Sequence, residues 1–249
     1  MIQTESLLEY KFYNQHFQYS LFFQDYFKTV RNIDNRYPLR EHGEYTYFNS
    51  YVCGSVPIGK TIIDVGANSG LFCVPLCKYG FNVIGFEPVK SNLDCLQMCI
   101  QVNNLSNLKL YPYALYNENI TKDIFVPGSP DNASLNEVVA ISNVKDKTHH
   151  SETIECRRLD DIIESDKIQN IGLVKSDVQG FEYPVLQGME KLMRDTKDLS
   201  IIVEWDKHHT EMSGYSLDLI SKILSDNNFK EVKWMGSAAN PGNKIFRKL

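Results

Sequence analysis

The segment Thr61-Ile62-Ile63-Asp64-Val65-Gly66-Ala67-Asn68-Ser69-Gly70 constrains the fold of this chain more than any other. A short apolar run carries an aspartate near its end and breaks into a loop with glycines four apart. A helical pattern follows. A second apolar run then closes on Gly85-Phe86-Glu87-Pro88. This reads as a βαβ unit with an acid at the tip of each strand. Glycine allows the sharp turn and a close approach of backbone to ligand.

The two acids narrow the ligand. Glu87, just past the second strand, suits the two hydroxyls of a ribose, so a nucleoside-containing cofactor is expected. A pyrophosphate-binding loop would read G-x-G-x-x-G, whereas this one reads G-x-x-x-G. Asp64 also precedes the first glycine, where it would repel a pyrophosphate. An anion there suits a cofactor with a positive charge and an ammonium group, and S-adenosylmethionine has both.

Strand and helix patterns alternate from Lys60 onward. The spacing predicts strands at 61–65, 82–86, 107–112, 171–176 and 199–205, with strand-like pieces at 122–126 and 152–157. It predicts helices at 69–79, 89–103, 181–194 and 215–227. The closing strands, at 229–235 and 243–248, are joined only by the turn-rich Gly236-Ser237-Ala238-Ala239-Asn240-Pro241-Gly242-Asn243. Such alternation means α/β layers on a parallel sheet, and the final hairpin reverses one strand. A mostly parallel seven-stranded sheet with one antiparallel strand is the Rossmann-like class I methyltransferase arrangement. The polar, turn-rich segment at 127–150 is expected near the active site.

Residues 1–55 differ in kind. Leu7, Tyr10, Phe12, Tyr13, Phe17, Phe22, Phe23, Tyr26 and Phe27 crowd a short stretch at helical spacing. This predicts an N-terminal helical extension acting as cap and lid, or offering a surface for a homodimer, ahead of the main domain at 56–249.

With 249 residues and a net charge of −5, the chain fits one large α/β domain plus an appendage. Its acidity argues against gripping nucleic-acid phosphates. No apolar run approaches the ~20 residues of a membrane span, and Met1-Ile2-Gln3-Thr4-Glu5 does not open a signal peptide. A cytoplasmic location, with no membrane partner, is the expectation. Cys73/Cys77 and Cys95/Cys99 are i,i+4 pairs on helices that should lie side by side. A four-thiolate site is conceivable, but structural zinc prefers tighter C-x-x-C knuckles, so these cysteines read as small apolar fillers and no metal is assigned.

The motifs taken in series resemble the FkbM-type methyltransferases. Asp64 to Gly70, Gly85-Phe86-Glu87-Pro88 and Tyr113-Ala114-Leu115 look like the core of that family. Arg158-Leu159-Asp160-Asp161, Val174-Lys175-Ser176-Asp177-Val178-Gln179-Gly180-Phe181-Glu182 and Ile202-Val203-Glu204 are similar to its later motifs. The resemblance spans roughly residues 60–206. It implies a Rossmann-like fold, S-adenosylmethionine, and O-methylation of hydroxyls on sugars or natural products. Gln179 departs from the family's usual glutamate, and Ser176 from its usual apolar residue.

Roles follow from that reading. Asp64 is expected to hold the methionine ammonium, directly or through water, with Gly66, Ala67, Asn68 and Gly70 wrapping the methionine tail. Glu87 takes the ribose hydroxyls, and Pro88 stiffens the adenine pocket near Ala114. Asp177, at the tip of its strand, is the best candidate for the reactive centre. Lys175, two residues away, shares its strand face and can pair with it. Either Glu204 or His208 can serve as general base, histidine having the better intrinsic pKa. An assisting divalent ion at Asp177 and Glu204 is not demanded by the spacing.

The leading expectation is an S-adenosylmethionine-dependent O-methyltransferase acting on a sugar, glycan or small natural product. A non-catalytic module that keeps the fold is the alternative. A nicotinamide-dependent oxidoreductase is a third reading, disfavoured by the broken phosphate loop and Asp64.

Overall fold

A computed structural model describes residues 48–49, 51–128, 130–232 and 242–248. Most of the expected N-terminal cap, the end of the strand expected at 229–235 and most of the final turn lie outside the described residues.

The central sheet has seven strands. These are β1 (Thr61–Val65), β2 (Asn82–Phe86), β3 (Leu108–Tyr111), β7 (Ile171–Ser176), β8 (Ser200–Glu204), β9 (Phe229–Glu231) and β10 (Asn243–Lys248). Their order across the sheet is β3-β2-β1-β7-β8-β10-β9. β10 runs antiparallel between β8 and β9, and the other pairings are parallel. The mostly parallel sheet with one reversed strand is therefore present. The helices are α1 (Cys73–Tyr79), α2 (Lys90–Asn103), α3 (Glu137–Ser142), α4 (Leu159–Ser165), α5 (Glu182–Gln187), α6 (Glu190–Asp195), α7 (Lys207–Met212) and α8 (Leu217–Asp226).

Side chains alternate across a strand, so a sheet covered on both faces needs apolar residues at successive positions. Ile62, Val83, Leu173, Ile202 and Ile245 pack on one face with Leu76 of α1 and Leu96 of α2. Their neighbours Ile63, Ile84, Val174, Ile201 and Phe246 pack on the other with α4, α5, α6 and α8. Each such side chain contributes roughly 1.5–3 kcal/mol on burial. Phe48, Tyr51 and Val52 join the first cluster, and the Tyr51 hydroxyl lies 3.0 Å from Ser200 Oγ. The described end of the N-terminal segment is thus part of the main core. Cys73, Cys77, Cys95 and Cys99 also fill this cluster, and burial pushes the Cys73 and Cys77 thiols upward.

Two expectations need correction. The helix expected from residue 69 begins only at Cys73, because Asn68 and Gly70 take positive φ angles that no right-handed helix contains. The helix expected at 181–194 is two helices. Asp160 accepts the backbone N–H groups of Lys191 and Leu192, each at 2.9 Å, and so caps a new start at α6. Between them Gly188 packs on Tyr116, where a β-carbon would overlap a backbone carbonyl. The strand pieces expected near 122–126 and 152–157 are present and lie outside the central sheet. They are β5 (Ile120–Pro127) and β6 (His149–Arg157), which with β4 (Tyr113–Leu115) form a second, three-stranded sheet. That insert stands at the carboxyl edge of the main sheet, with Phe181 and Val89 in its core.

Candidate active site

A cleft of about 360 Å³ opens at the carboxyl ends of β1, β2, β7 and β8, where ligands bind in open α/β sheets. Its first wall is the loop after β1. Gly66 and Ala67 both donate their backbone N–H to the carbonyl of Phe86 at 3.0 Å. Gly66 has φ +76°, and a β-carbon on it would overlap the carbonyl oxygen of Asp177. Only glycine lets the β1 loop and the β7 tip approach this closely.

Glu87 organises the second wall. Only 4% of it is exposed, and its carboxylate accepts the backbone N–H of Asn68 at 2.8 Å and of Val89 at 2.9 Å. Asn92 Nδ2 donates to it at 3.3 Å. Burial raises its pKa to about 7, with these donors pulling the other way. The carboxylate is therefore preoriented at the cleft, with acceptor capacity remaining for a ligand hydroxyl.

Beneath the loop lies a buried charge triad. Asp64 and Lys175 are partners across the β1–β7 ladder. Lys175 Nζ stands 3.5 Å from Asp64 Oδ1 and 3.2 Å from Asp177 Oδ2. Asp64 is fully buried and Lys175 only 2% exposed. Burial first, and then the Asp177 charge, raise Asp64 to about 6 against the pull of Lys175. Asp64 Oδ2 has no hydrogen-bond partner among the described residues. An orphaned carboxylate oxygen behind a glycine loop, with the three carboxylates of Glu87, Asp177 and Glu204 lining the cleft, fits a cationic cofactor with an ammonium group and a ribose.

The acceptor end is built by the loop after β7. Gln179, at φ +52°, donates its backbone N–H to Glu204 Oε2 at 3.0 Å. Its carboxamide reaches Glu204 Oε1 at 3.1 Å and Asp177 Oδ1 at 3.3 Å. Below it, buried Glu182 accepts the backbone N–H of Val178 at 2.9 Å. Burial, Asp177 and Glu182 push Glu204 well above the usual carboxylate range.

Gly66, Asn68, Glu87, Pro88, Ala114, Asp177 and Glu204 line the cleft. Asp64, Ala67, Gly70 and Lys175 do not. Ala67 faces the core, and Gly70 packs against Leu96 and Val74. His208 stands apart from the cleft. Asp206 Oδ1 caps α7 by accepting the His209 N–H at 2.9 Å, and His208 lies on the exposed face of that helix. Its neighbour His209 is buried, with Nε2 3.0 Å from Asn143 Nδ2. The polar segment expected near the active site brings Asn132, Ala133 and Ser134 to the cleft wall, and the Ser134 hydroxyl donates to the Gln179 carbonyl of the β7 loop at 3.1 Å. Sequence reasoning did not bring Gly242 and Asn243 of the final hairpin to the rim. Their place there has no local signal, since it depends on the packing of distant elements. Among the described residues no cluster of metal-ligating side chains occurs.

The fold and the cleft define a class I methyltransferase architecture. Residues 64–231 match the methyltransferase FkbM domain, and the chain belongs to that family. Its cofactor is S-adenosylmethionine. The chain is 26% identical over 178 residues to Methyltransferase 1 of Beauveria bassiana, covering 66% of this chain and 71% of that protein. It is 26% identical over 168 residues to the hexuronic acid methyltransferase AglP of Haloferax volcanii, covering 62% of this chain and 66% of that protein. Magnesium protoporphyrin IX methyltransferase of Synechocystis superposes with a TM-score of 0.49 at 15% identity, over 92% of this chain and 96% of that one.

Proposed function

We propose that this methyltransferase acts on a hydroxyl group of a sugar, glycan or other small natural product. The observation that carries the reading is that Asp177 and Glu204, bridged by the Gln179 carboxamide, line the same cleft as Gly66 and Glu87. S-adenosylmethionine supplies a methyl group already activated on a sulfonium. The protein's task is then to align an acceptor oxygen with that methyl and to take up the hydroxyl proton.

Glu87 holds the ribose hydroxyls, and the loop from Gly66 to Asn68 wraps the amino-acid tail. Asp64 lies behind that loop and contributes a negative field there while anchoring Lys175. In this reading Asp177 and Glu204 receive the proton of the acceptor hydroxyl. With S-adenosylmethionine bound, its methyl group would go to the acceptor oxygen, and the hydroxyl proton would pass to one of these carboxylates. His208, outside the cleft, has no part in this scheme. The sugar-directed relative supports a sugar acceptor, and the sequence Asp177-Val178-Gln179-Gly180 lacks the N/D-P-P-Y/F pattern of many amine methyltransferases.

The test is transfer of labelled methyl from S-adenosylmethionine across a panel of glycosides, amino sugars and amines. Ether products on hydroxyls, lost in Asp177→Asn or Glu204→Gln with cofactor binding retained, are expected. Methylation confined to amine nitrogens would refute the reading.

A further inference from the structure

Gln179 makes more contacts at the cleft than any motif would assign to it. Its N–H and carboxamide satisfy both oxygens of Glu204, and the same carboxamide reaches Asp177. Its carbonyl accepts the Ser134 hydroxyl of the insert. All this is held on a non-glycine residue in the left-handed region, a conformation that persists only when the surroundings enforce it. The next residue enforces it: Gly180, φ +95°, packs so tightly on the His209 carbonyl that no side chain fits there.

The chemistry of a carboxamide at this point is specific. It is a hydrogen-bond donor whose charge does not change with pH. Donation to a carboxylate favours the ionised form, whereas a third carboxylate at the same place would compete for protons with its neighbours. The groups facing Asp177 and Glu204 are Lys175 from β7, Asp64 from β1 behind it, Glu182 from α5 and Asp206 from the loop after β8. All but Lys175 are acids.

We infer that Gln179 is a positioning residue that clamps Asp177 and Glu204 in one arrangement and keeps both available as proton acceptors at the acceptor end of the cleft. The inference rests on the proposed hydroxyl methylation only in naming that end. The clamp itself exists whether or not a hydroxyl is the acceptor.

Carboxyl-carbon NMR of the full chain, labelled at Asp and Glu and titrated with pH, tests it without any acceptor. Asp177 and Glu204 are assigned by their loss in Asp177→Asn and Glu204→Gln. In Gln179→Glu the apparent midpoints of the pair should rise by about one unit or more. In Gln179→Asn, which tolerates the left-handed backbone but is one methylene too short to bridge both acids, they should rise by less. S-adenosylmethionine affinity should stay near that of the wild type in Gln179→Asn. Midpoints unchanged in both variants would overturn the clamp. If Gln179→Glu does not fold, Gln179→Asn and Gln179→Leu decide the matter by the same titration. Failure of the methyl-transfer assay would leave these midpoints untouched, so the two readings fail separately.

Discussion

The carbonyl oxygen of Asp177 occupies the space where a β-carbon on Gly66 would stand. The tip of β7 and the loop after β1 are therefore fixed against one another, which ties the cofactor end of the cleft to the acceptor end. Gly66→Ala must displace one of them and must also place an alanine at φ +76°. The expected cost is about 1–3 kcal/mol or more in stability, with weakened S-adenosylmethionine binding. Urea denaturation and calorimetry check both. A variant with wild-type stability and affinity would contradict the close approach.

Lys175 is the only cation beside Asp64 and Asp177 among the described residues. Removing one partner of a buried ion pair leaves a charge uncompensated, at a cost of about 3–5 kcal/mol. Lys175→Met should be destabilised by that order. Adding Asp64→Asn should recover a large part of it, because the orphaned charge is then gone. Denaturation of the two single variants and the double variant forms the cycle. Additive losses would show that the pair is not coupled.

Glu87 ties stability to pH in an unusual direction. Its folded pKa of about 7 lies above the ordinary carboxyl value of 4.5. Between those values the folded chain binds more protons than the unfolded one, so stability falls as pH rises through the window. Full burial makes the effect of order 1–3 kcal/mol. Glu87→Gln should therefore be more stable than wild type at pH 8, with the gap closing by pH 5. It should also lose about tenfold or more in S-adenosylmethionine affinity, since a charged hydrogen bond to ribose is gone. Denaturation at the two pH values and calorimetry measure these. A stability gap constant with pH would contradict the assignment.

The charged side chains that line the cleft, among the described residues, are the acids Glu87, Asp177 and Glu204. A like charge brought to contact distance costs of order 1–4 kcal/mol. A neutral glycoside should therefore be methylated with kcat/KM at least about tenfold above its uronic acid counterpart. Glu204→Gln should narrow that ratio. Preference for the uronic acid would align this chain with its hexuronic acid relative and count against an acid-walled acceptor end.

Much of this site was legible in the residues themselves. Gly66, Glu87 and Asp177 stand where the strand-end motifs imply, because a βαβ unit fixes the turn after each strand locally. Asp64 shows where that logic stops. Its place near the loop suggests contact with the cofactor, yet the β1–β7 register puts Lys175 beside it, and strand order is not written in local sequence. His208 lies off the cleft for a related reason. Asp206 serves as a helix cap, and on the helix it starts His208 falls on the exposed side and His209 on the buried one. The short helices α3, α4 and α7 escaped notice because their patterns are brief, and the joining of the expected strand pieces with β4 into a separate sheet escaped it because their partners are distant.

The most direct test of the account is calorimetric titration of the intact protein with S-adenosylmethionine and its demethylated product, with NAD as control. The account predicts that both sulfur nucleosides bind at about micromolar level, about −8 kcal/mol, that NAD does not, and that Glu87→Gln weakens the first two. Binding of NAD in their place, or of none of the three, would contradict it.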